Sequence, residues 1–159
     1  MAYTVRSEGL AELSTMIDKM AEKAPAVAAQ ALYEGAGVMA KEIAAGAGSI
    51  RTEAFRYASV SRGETRQPSP EEKAAVTGAV GIAKFDKNGS EIQTSIGYGN
   101  AGYAEIKGKQ VPIAKIANAI NSGTSFMQKQ PFIRKAASSG KGKAVNAMTA
   151  FLEEAFKTN

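Results

Sequence analysis

The chain has 159 residues, enough for one domain with its own core and few for two, so we expect a single domain over 1–159. It contains no histidine and no cysteine. Disulfides, thiolate nucleophiles, imidazole acid–base catalysis and metal sites built on these residues are therefore excluded, and we expect no cofactor. Hydrophobic residues make up 44% of the chain, but 30 of them are alanines, so the core depends on a modest set of larger side chains.

The net charge of +5 is unevenly distributed along the chain. Between Ile106 and Leu152 there is no acidic residue, whereas the rest of the chain carries twelve basic and fifteen acidic residues. Such a segregation indicates either a surface for DNA or an acidic partner, or a solvated lysine-bearing face. The basic residues between these two positions are Lys107, Lys109, Lys115, Lys129, Arg134, Lys135, Lys141 and Lys143.

The N-terminal part of the chain is predicted to be a long helical arm. Apolar residues recur three and four positions apart from Leu10 to Ile43, which is the pattern of one face of a helix. Pro25 interrupts this pattern, because proline removes a hydrogen-bond donor, so the helix either kinks there or a second helix begins there. The sequence Gly46-Ala47-Gly48 predicts the end of the arm.

A polar, turn-rich segment follows from Ser49 to Pro70. About twenty residues without a periodic pattern are unusual inside a compact domain, and such loops are often functional or mobile. We therefore predict a flexible loop over 49–70 that neighbouring subunits order in an assembly. Ser69 and Pro70 suit the N-cap and first position of a short helix. The loop contributes four arginines as candidate contact residues: Arg51, Arg56, Arg62 and Arg66.

The middle of the chain predicts a β-hairpin. The segments Gly81–Phe85 and Glu91–Tyr98 alternate apolar and polar residues, and Asn88-Gly89 between them is a strong hairpin signal. Val111–Ile120 then predicts a short helix.

The last element is predicted to be a long helix from about Pro131 to Lys157. Its apolar stripe comprises Val145, Met148, Leu152 and Phe156. Together these elements predict an α+β fold, in which long N-terminal and C-terminal helices pack on a small antiparallel sheet with a β-hairpin and a long polar loop.

The chain offers little that suits catalysis, and we expect it not to be an enzyme. Gly97–Gly102 matches the spacing of a dinucleotide-binding loop, but the acidic residue that should follow about twenty residues later is missing. The adjacent pairs Glu71-Glu72 and Glu153-Glu154 lie on predicted helices, where neighbouring side chains point roughly 100° apart. A carboxylate-dependent enzyme is an alternative for which the sequence holds no positive signal.

The most informative passage runs from a Gly123-Thr124 turn through a short loop to Pro131-Phe132 and the closing alanine-rich helix. Gly123 permits a positive φ angle, Pro131 suits the first turn of a helix, and Phe132 can pack against the hairpin. In its order and position this passage resembles the minor tail components of long-tailed bacteriophages, also described as neck or tail-completion proteins.

The resemblance implies a virion structural protein, made in the bacterial host cytoplasm, that assembles as a hexameric ring at the head–tail junction. Its partners would be further copies of itself, head-closure or connector proteins, and tail-terminator or tail-tube proteins. The passing genome would allow nonspecific DNA contact. We expect no membrane partner, because no stretch approaches about eighteen consecutive apolar residues.

Candidate interface or DNA-channel residues follow from the charge distribution and the polar loop. They are Arg51, Arg56, Arg62, Arg66, Lys107, Lys109, Lys129, Arg134, Lys141 and Lys143. Two alternative functions stay open at this point: a tail terminator that caps the tail tube, and a small accessory protein that binds DNA without sequence preference.

Overall fold

The computed structural model describes residues 25–88 and 91–157. Its helices are α1 (Pro25–Gly48), α2 (Pro70–Thr77), α3 (Ile113–Ser122) and α4 (Phe132–Lys157). Its strands are β1 (Gly81–Ile82), β2 (Asp86–Asn88), β3 (Glu91–Gln93), β4 (Ile96–Gly97), β5 (Tyr103–Ile106) and β6 (Lys109–Pro112). The predicted α+β class is confirmed. The part of the helical arm predicted before Pro25 lies outside the described residues.

The two long helices, α1 and α4, pack against each other along their lengths in opposite directions. A Cβ atom added to Gly35 would lie 2.4 Å from Met148 Sδ, and one added to Gly46 would lie 3.1 Å from the Phe132 carbonyl oxygen. Small residues therefore let the two helices approach closely. Buried residues recur at every fourth position: Ala31, Gly35, Met39, Ile43 and Ala47 on α1, and Phe132, Ala136, Gly140, Ala144, Met148 and Leu152 on α4.

The observed burial corrects the predicted stripe on α4. Met148 and Leu152 are buried as predicted, but Val145 is half-buried and Phe156 is 43% exposed. Val145 lies off the line of buried positions spaced by four. Phe156 continues that line but lies in the last turn of α4, at the end of the helix pair where the described part of α1 begins.

The predicted hairpin is confirmed as two short antiparallel ladders in line with each other. Ile82 pairs with Ile96 in the first ladder, and Asp86 pairs with Gln93 in the second. Between these pairs the three residues 83–85 face the two residues 94–95, which is the arrangement of a β-bulge. Phe85 lies in this bulge, and its ring packs on that of Tyr33 in α1 at a centroid distance of 4.0 Å.

A second hairpin, β5–β6, was not predicted. Its turn is formed by Lys107 with φ 51° and Gly108 with φ 73°, and positive φ at both central residues is typical of a type I′ turn. Because β6 extends to Pro112, α3 begins at Ile113 rather than at the predicted Val111.

The core lies where α1, α3, α4 and the first hairpin meet. Ile113, Ile116 and Ile120 of α3 are all buried there. In the described part of the chain no helix is both long and apolar enough to cross a membrane.

Candidate functional site

The Gly123-Thr124 turn closes on itself directly after α3. Gly123 has φ 77°, as predicted, and a Cβ atom there would lie 2.9 Å from Lys129 Cβ. The Thr124 hydroxyl accepts hydrogen bonds from the amides of Met127 at 2.9 Å and Phe126 at 3.3 Å. The Thr124 amide donates to the Met127 carbonyl oxygen at 2.9 Å. The turn thus satisfies its own backbone and fixes the direction in which the chain leaves α3.

The Pro131-Phe132 pair begins α4 and anchors it in the core. Asn121 is buried, and its Oδ1 accepts a hydrogen bond from the Ile133 amide at 3.1 Å, which caps one of the backbone amides at the start of the helix. Lys135 donates its amide to the Pro131 carbonyl oxygen at 3.1 Å, so the first turn opens on the proline. Phe132 is 4% exposed and meets Tyr98, next to β4, edge to face at 6.3 Å.

Gln130 joins this passage to the polar loop after α1. Its Oε1 accepts from the Arg51 amide at 2.9 Å, and its Nε2 donates to the Arg51 carbonyl oxygen at 2.9 Å. The same Nε2 donates to Gln67 Oε1 at 2.7 Å, and Gln67 Nε2 donates in turn to Gln128 Oε1. Two segments far apart in sequence are therefore held together by glutamine side chains.

Arg66 makes the second connection between the two segments. Its amide donates to the Phe126 carbonyl oxygen at 2.9 Å, and its carbonyl oxygen accepts from the Gln128 amide at 2.9 Å. These bonds form an isolated parallel β-bridge between Arg66 and Met127. We call the two connected segments, residues 51–72 and 121–131, the polar joint.

A buried ion pair lies inside the polar joint. Arg66 Nη1 and Nη2 each donate to one carboxylate oxygen of Glu72, both at 2.7 Å, and the side chains are only 8% and 7% exposed. Such a two-bond geometry is the strongest form of an arginine–carboxylate contact. Ser69 completes the arrangement, because its hydroxyl accepts from the Glu72 amide at 3.2 Å and its amide donates to Glu72 Oε2 at 2.8 Å. The predicted N-cap of α2 is thus a full capping box.

Burial alone would raise the pKa of Glu72, but the hydrogen bonds from Arg66 and from the Ser69 amide outweigh it and hold that pKa below its usual value. The hydrogen bonds to Glu72 raise the pKa of Arg66 despite its burial. Both groups are therefore charged at neutral pH. Arg66 also lies 4.8 Å above the Phe55 ring.

The location of Arg66 corrects one candidate. The sequence placed it among the arginines that face DNA or a partner, but its guanidinium is buried against Glu72 and cannot reach either in this arrangement. The charge pattern did not predict the Arg66–Glu72 pair, because two residues six positions apart that do not share a helix have no periodic spacing.

The other three loop arginines are exposed. Arg56 Nη2 donates to the Thr65 carbonyl oxygen at 2.6 Å, and its Nε lies 3.3 Å from Glu53 Oε1. Arg62 is the most open of them, with a side chain 77% exposed and 3.6 Å from Glu64. Arg51 is fixed through its backbone by Gln130, while its side chain faces solvent.

The lysine candidates and Arg134 lie on several elements rather than in one pocket. Lys107 lies in the β5–β6 turn and Lys109 directly after it, and the Lys107 ammonium lies 5.7 Å from the centre of the Phe55 ring. Lys143 pairs with Glu42 of α1 at 2.8 Å. Lys129 and Arg134 are exposed in the polar joint and on α4, and Lys141 is half-buried on α4.

The structure also shows joint residues that the sequence reading missed, namely Gln67, Glu72, Asn121 and Gln130. Among the described residues no group of three or more acidic side chains is placed to hold a metal ion. Most polar groups of the joint are hydrogen-bonded to each other or to backbone. Neither a family model nor a curated protein nor a solved structure matches this chain.

Proposed function

We propose that the protein is a phage virion structural component that forms a ring at the head–tail junction, as a neck or tail-completion protein. The observation that carries this proposal is the fold of the passage from Gly123-Thr124 to Pro131-Phe132. In this passage the polar side chains bind backbone and each other. A chain built in this way presents surfaces at fixed positions, which is what an assembly subunit requires.

The surfaces beside the joint support an assembly role. Tyr57 is 78% exposed, Val60 61% and Phe126 43%, although all three lie on or next to hydrogen-bonded segments. Aromatic side chains such as those of Tyr57 and Phe126 are enriched at protein–protein interfaces. Neighbouring subunits in a ring would cover such residues, because a ring of identical chains uses two different patches on each subunit.

The partners in this proposal are further copies of the chain in a hexameric ring, a head-closure or connector ring on one side, and tail-terminator or tail-tube proteins on the other. The tail-terminator role is the close rival within the same class. Both roles place the chain in the virion. Its position along the tail axis would distinguish a neck or tail-completion protein from a tail terminator.

A small DNA-binding accessory protein is the second candidate function, and the exposed cations favour it. Within the described residues Lys109, Lys129 and Arg134 form no ion pair, so their charges are available to phosphates. In the ring these same charges would face the DNA channel or an acidic neighbouring ring.

Deletion of the gene from the phage genome tests the proposal. We expect filled capsids and separate tails in electron micrographs, with infectivity restored when the wild-type chain is supplied from a plasmid. The plasmid without the gene is the matched control. Infectious particles that lack the protein would refute the structural role.

Binding of the purified subunit to a labelled DNA duplex tests the alternative. The ring proposal predicts weak binding by the lone subunit. Tight binding that falls steeply with salt would favour the accessory DNA-binding protein instead.

A further inference from the structure

Four exposed cations lie at the end of the molecule where α1 finishes and α4 begins. Gln130 holds Arg51 there through two hydrogen bonds of 2.9 Å to the Arg51 backbone. Lys129 directly precedes Gln130 in the chain. Arg134 and Lys135 follow within the first turn of α4. We call Arg51, Lys129, Arg134 and Lys135 the basic cluster.

The basic cluster has little negative charge beside it. Within the described residues, none of its members forms an ion pair. The polar joint contains four acidic residues, of which Glu53, Glu64 and Glu72 are paired with arginines. Glu71 is the remaining one, and no ion pair joins it to the described part of the chain. The positive charge of this end of the molecule is therefore largely uncompensated.

The charges at the start of α4 do not serve the helix itself. The macrodipole of a helix is positive at its start, so acidic residues stabilise that position and cations destabilise it. The helix α2 follows this rule, with Glu71 and Glu72 in its first turn. The first turn of α4 has no acidic residue and carries Arg134 and Lys135 instead. A local choice that lowers the stability of a helix is expected where the residues serve a partner.

The side chains of the cluster, rather than helix amides, are the groups available to an anion. The Phe132 amide donates to the Gln130 carbonyl oxygen at 2.8 Å, and the Ile133 amide donates to Asn121 Oδ1 at 3.1 Å. These backbone donors at the start of α4 are thus already bonded. An anion at this end would be held by guanidinium and ammonium groups.

The composition of the cluster favours phosphate over an acidic protein surface. Two of its four members are lysines, which are depleted at protein–protein interfaces. Arginine and lysine side chains are among the main donors to the phosphates of DNA. We propose that the basic cluster binds the phosphate backbone of duplex DNA, and that in the ring this end of the subunit is turned towards the passing genome. The second statement rests on the proposed function, whereas the first holds for the chain alone.

Fluorescence anisotropy of a labelled duplex, titrated with the purified chain at low salt, tests the site. The test variant replaces all four residues of the basic cluster by glutamine. Its association constant should be at least about ten-fold lower than that of wild type. The slope of log K against log salt should become shallower by about 3, because each phosphate contact contributes about 0.9.

A control variant removes the same total charge from other elements. It replaces four exposed lysines of α1 and the two hairpins by glutamine, and its association constant should fall less than about three-fold. These lysines are Lys41, Lys84, Lys87 and Lys109. Equal losses in the two variants would overturn the proposal, since net charge alone would then explain binding. Wild type that binds no DNA at low salt would overturn it as well.

Thermal unfolding keeps the test independent of misfolding. The cluster variant should melt no lower than wild type, because it loses two cations from the start of α4. The four single glutamine variants give a second measure, and each should make the salt slope shallower by about 1. Single variants with the slope of wild type would contradict the assignment of these residues.

A polyglutamate carrying as many charges as the duplex distinguishes DNA from an acidic protein. The chain should bind the duplex at least about ten-fold more tightly than the polyglutamate. Equal affinities would show that the cluster is a site for any polyanion, an acidic protein included, and would overturn the assignment to DNA.

The outcomes separate this inference from the proposed function. If the chain is found at the head–tail junction of the virion while the cluster and control variants bind DNA equally, the DNA site is wrong and the structural role stands. If the cluster variant alone loses DNA binding but the protein is dispensable for infectious particles, the DNA site stands and the virion role fails.

Discussion

The pair of long helices and the polar joint differ in what holds them together. The contact between α1 and α4 consists of small and apolar residues spaced by four, with Lys143–Glu42 as its surface ion pair. The polar joint is held by a buried ion pair, glutamine side chains and an isolated β-bridge. The helix pair therefore depends on close packing, and the joint depends on every buried polar group keeping its partner.

This difference explains how far each region can be read from the sequence. A helix contact repeats, so a regular spacing of apolar residues reveals it. The polar joint is made of individual side-chain hydrogen bonds, so it leaves no repeating pattern in the sequence. Its bonded residues lie up to 79 positions apart, as Arg51 and Gln130 do. Substitutions should therefore destabilise the fold for different reasons in the two regions: by disturbing close packing in the helix pair, and by leaving a buried polar group without its partner in the polar joint.

The largest loss of stability is expected at Phe132, the first residue of α4, where the polar joint meets the core. Phe132→Ala should destabilise the fold by roughly 3–5 kcal/mol, because the ring is 4% exposed and its removal leaves a cavity. Chemical denaturation measures the change. Phe156→Ala on the same helix is the control and should cost under about 0.5 kcal/mol, since Phe156 is 43% exposed. Equal losses would show that the last turn of α4 is packed as closely as its first turn.

The next effect tests the ion pair of the joint. Arg66→Met leaves the Glu72 carboxylate buried without its partner and should cost about 3 kcal/mol. The double variant Arg66→Met with Glu72→Met should recover much of this loss, because neither charge is then buried alone. A double variant as unstable as the sum of the two single variants would show that the pair does not act as a unit.

The same pair predicts a pH dependence. The pKa of Glu72 is lower in the folded chain than in the unfolded chain, so its contribution to stability is complete above the unfolded value of about 4.3 and is lost as the pH falls through the folded value. Glu72→Gln should flatten this part of the stability profile below about pH 4.3. An unchanged acid slope in the variant would contradict the assignment.

A smaller effect is expected from Gln130, which fixes the start of the polar loop. Gln130→Ala removes two bonds to the Arg51 backbone and should cost roughly 1–2 kcal/mol. Amide hydrogen exchange should accelerate at residues 51–53 and 67 and stay unchanged in α1. Gln110→Ala, at an exposed position of β6, is the control. The same experiment on wild type measures the predicted mobility of the loop over 49–70, which stays a prediction.

The smallest effect compares two glycines of α1. Gly37→Ala should stabilise the chain by about 0.5–1 kcal/mol, because alanine favours helix and nothing lies within 4 Å of the new Cβ atom. Gly35→Ala gains the same propensity but forces Met148 to move, so thermal denaturation should show a lower stability than for Gly37→Ala. Equal gains at both positions would mean that α1 and α4 do not approach closely at Gly35.

The sequence predicted the helices better than the connections. The ends of α4, the burial of Leu152 and Phe132, and the first hairpin follow from spacing and from Asn88-Gly89. The β5–β6 hairpin was missed because Val111 and Pro112, read as the start of a helix, end a strand instead. Its Lys107-Gly108 turn was the available signal.

In the candidate site the sequence revealed the passage from Gly123-Thr124 to Pro131-Phe132, but not the side chains that bind it to the loop after α1. Gly123 and Phe132 could be assigned from backbone and packing rules. Arg66 could not, because its role depends on Glu72 and on a chain segment sixty residues away, which only the folded arrangement brings together.

Electron cryo-microscopy of the head–tail junction of the virion tests the proposed role most directly. We predict a ring of copies at this junction, each with the α1–α4 pair and the polar joint recognisable in the density. A junction resolved to side chains in infectious particles, with no copy of this chain in it, would contradict the proposed structural role.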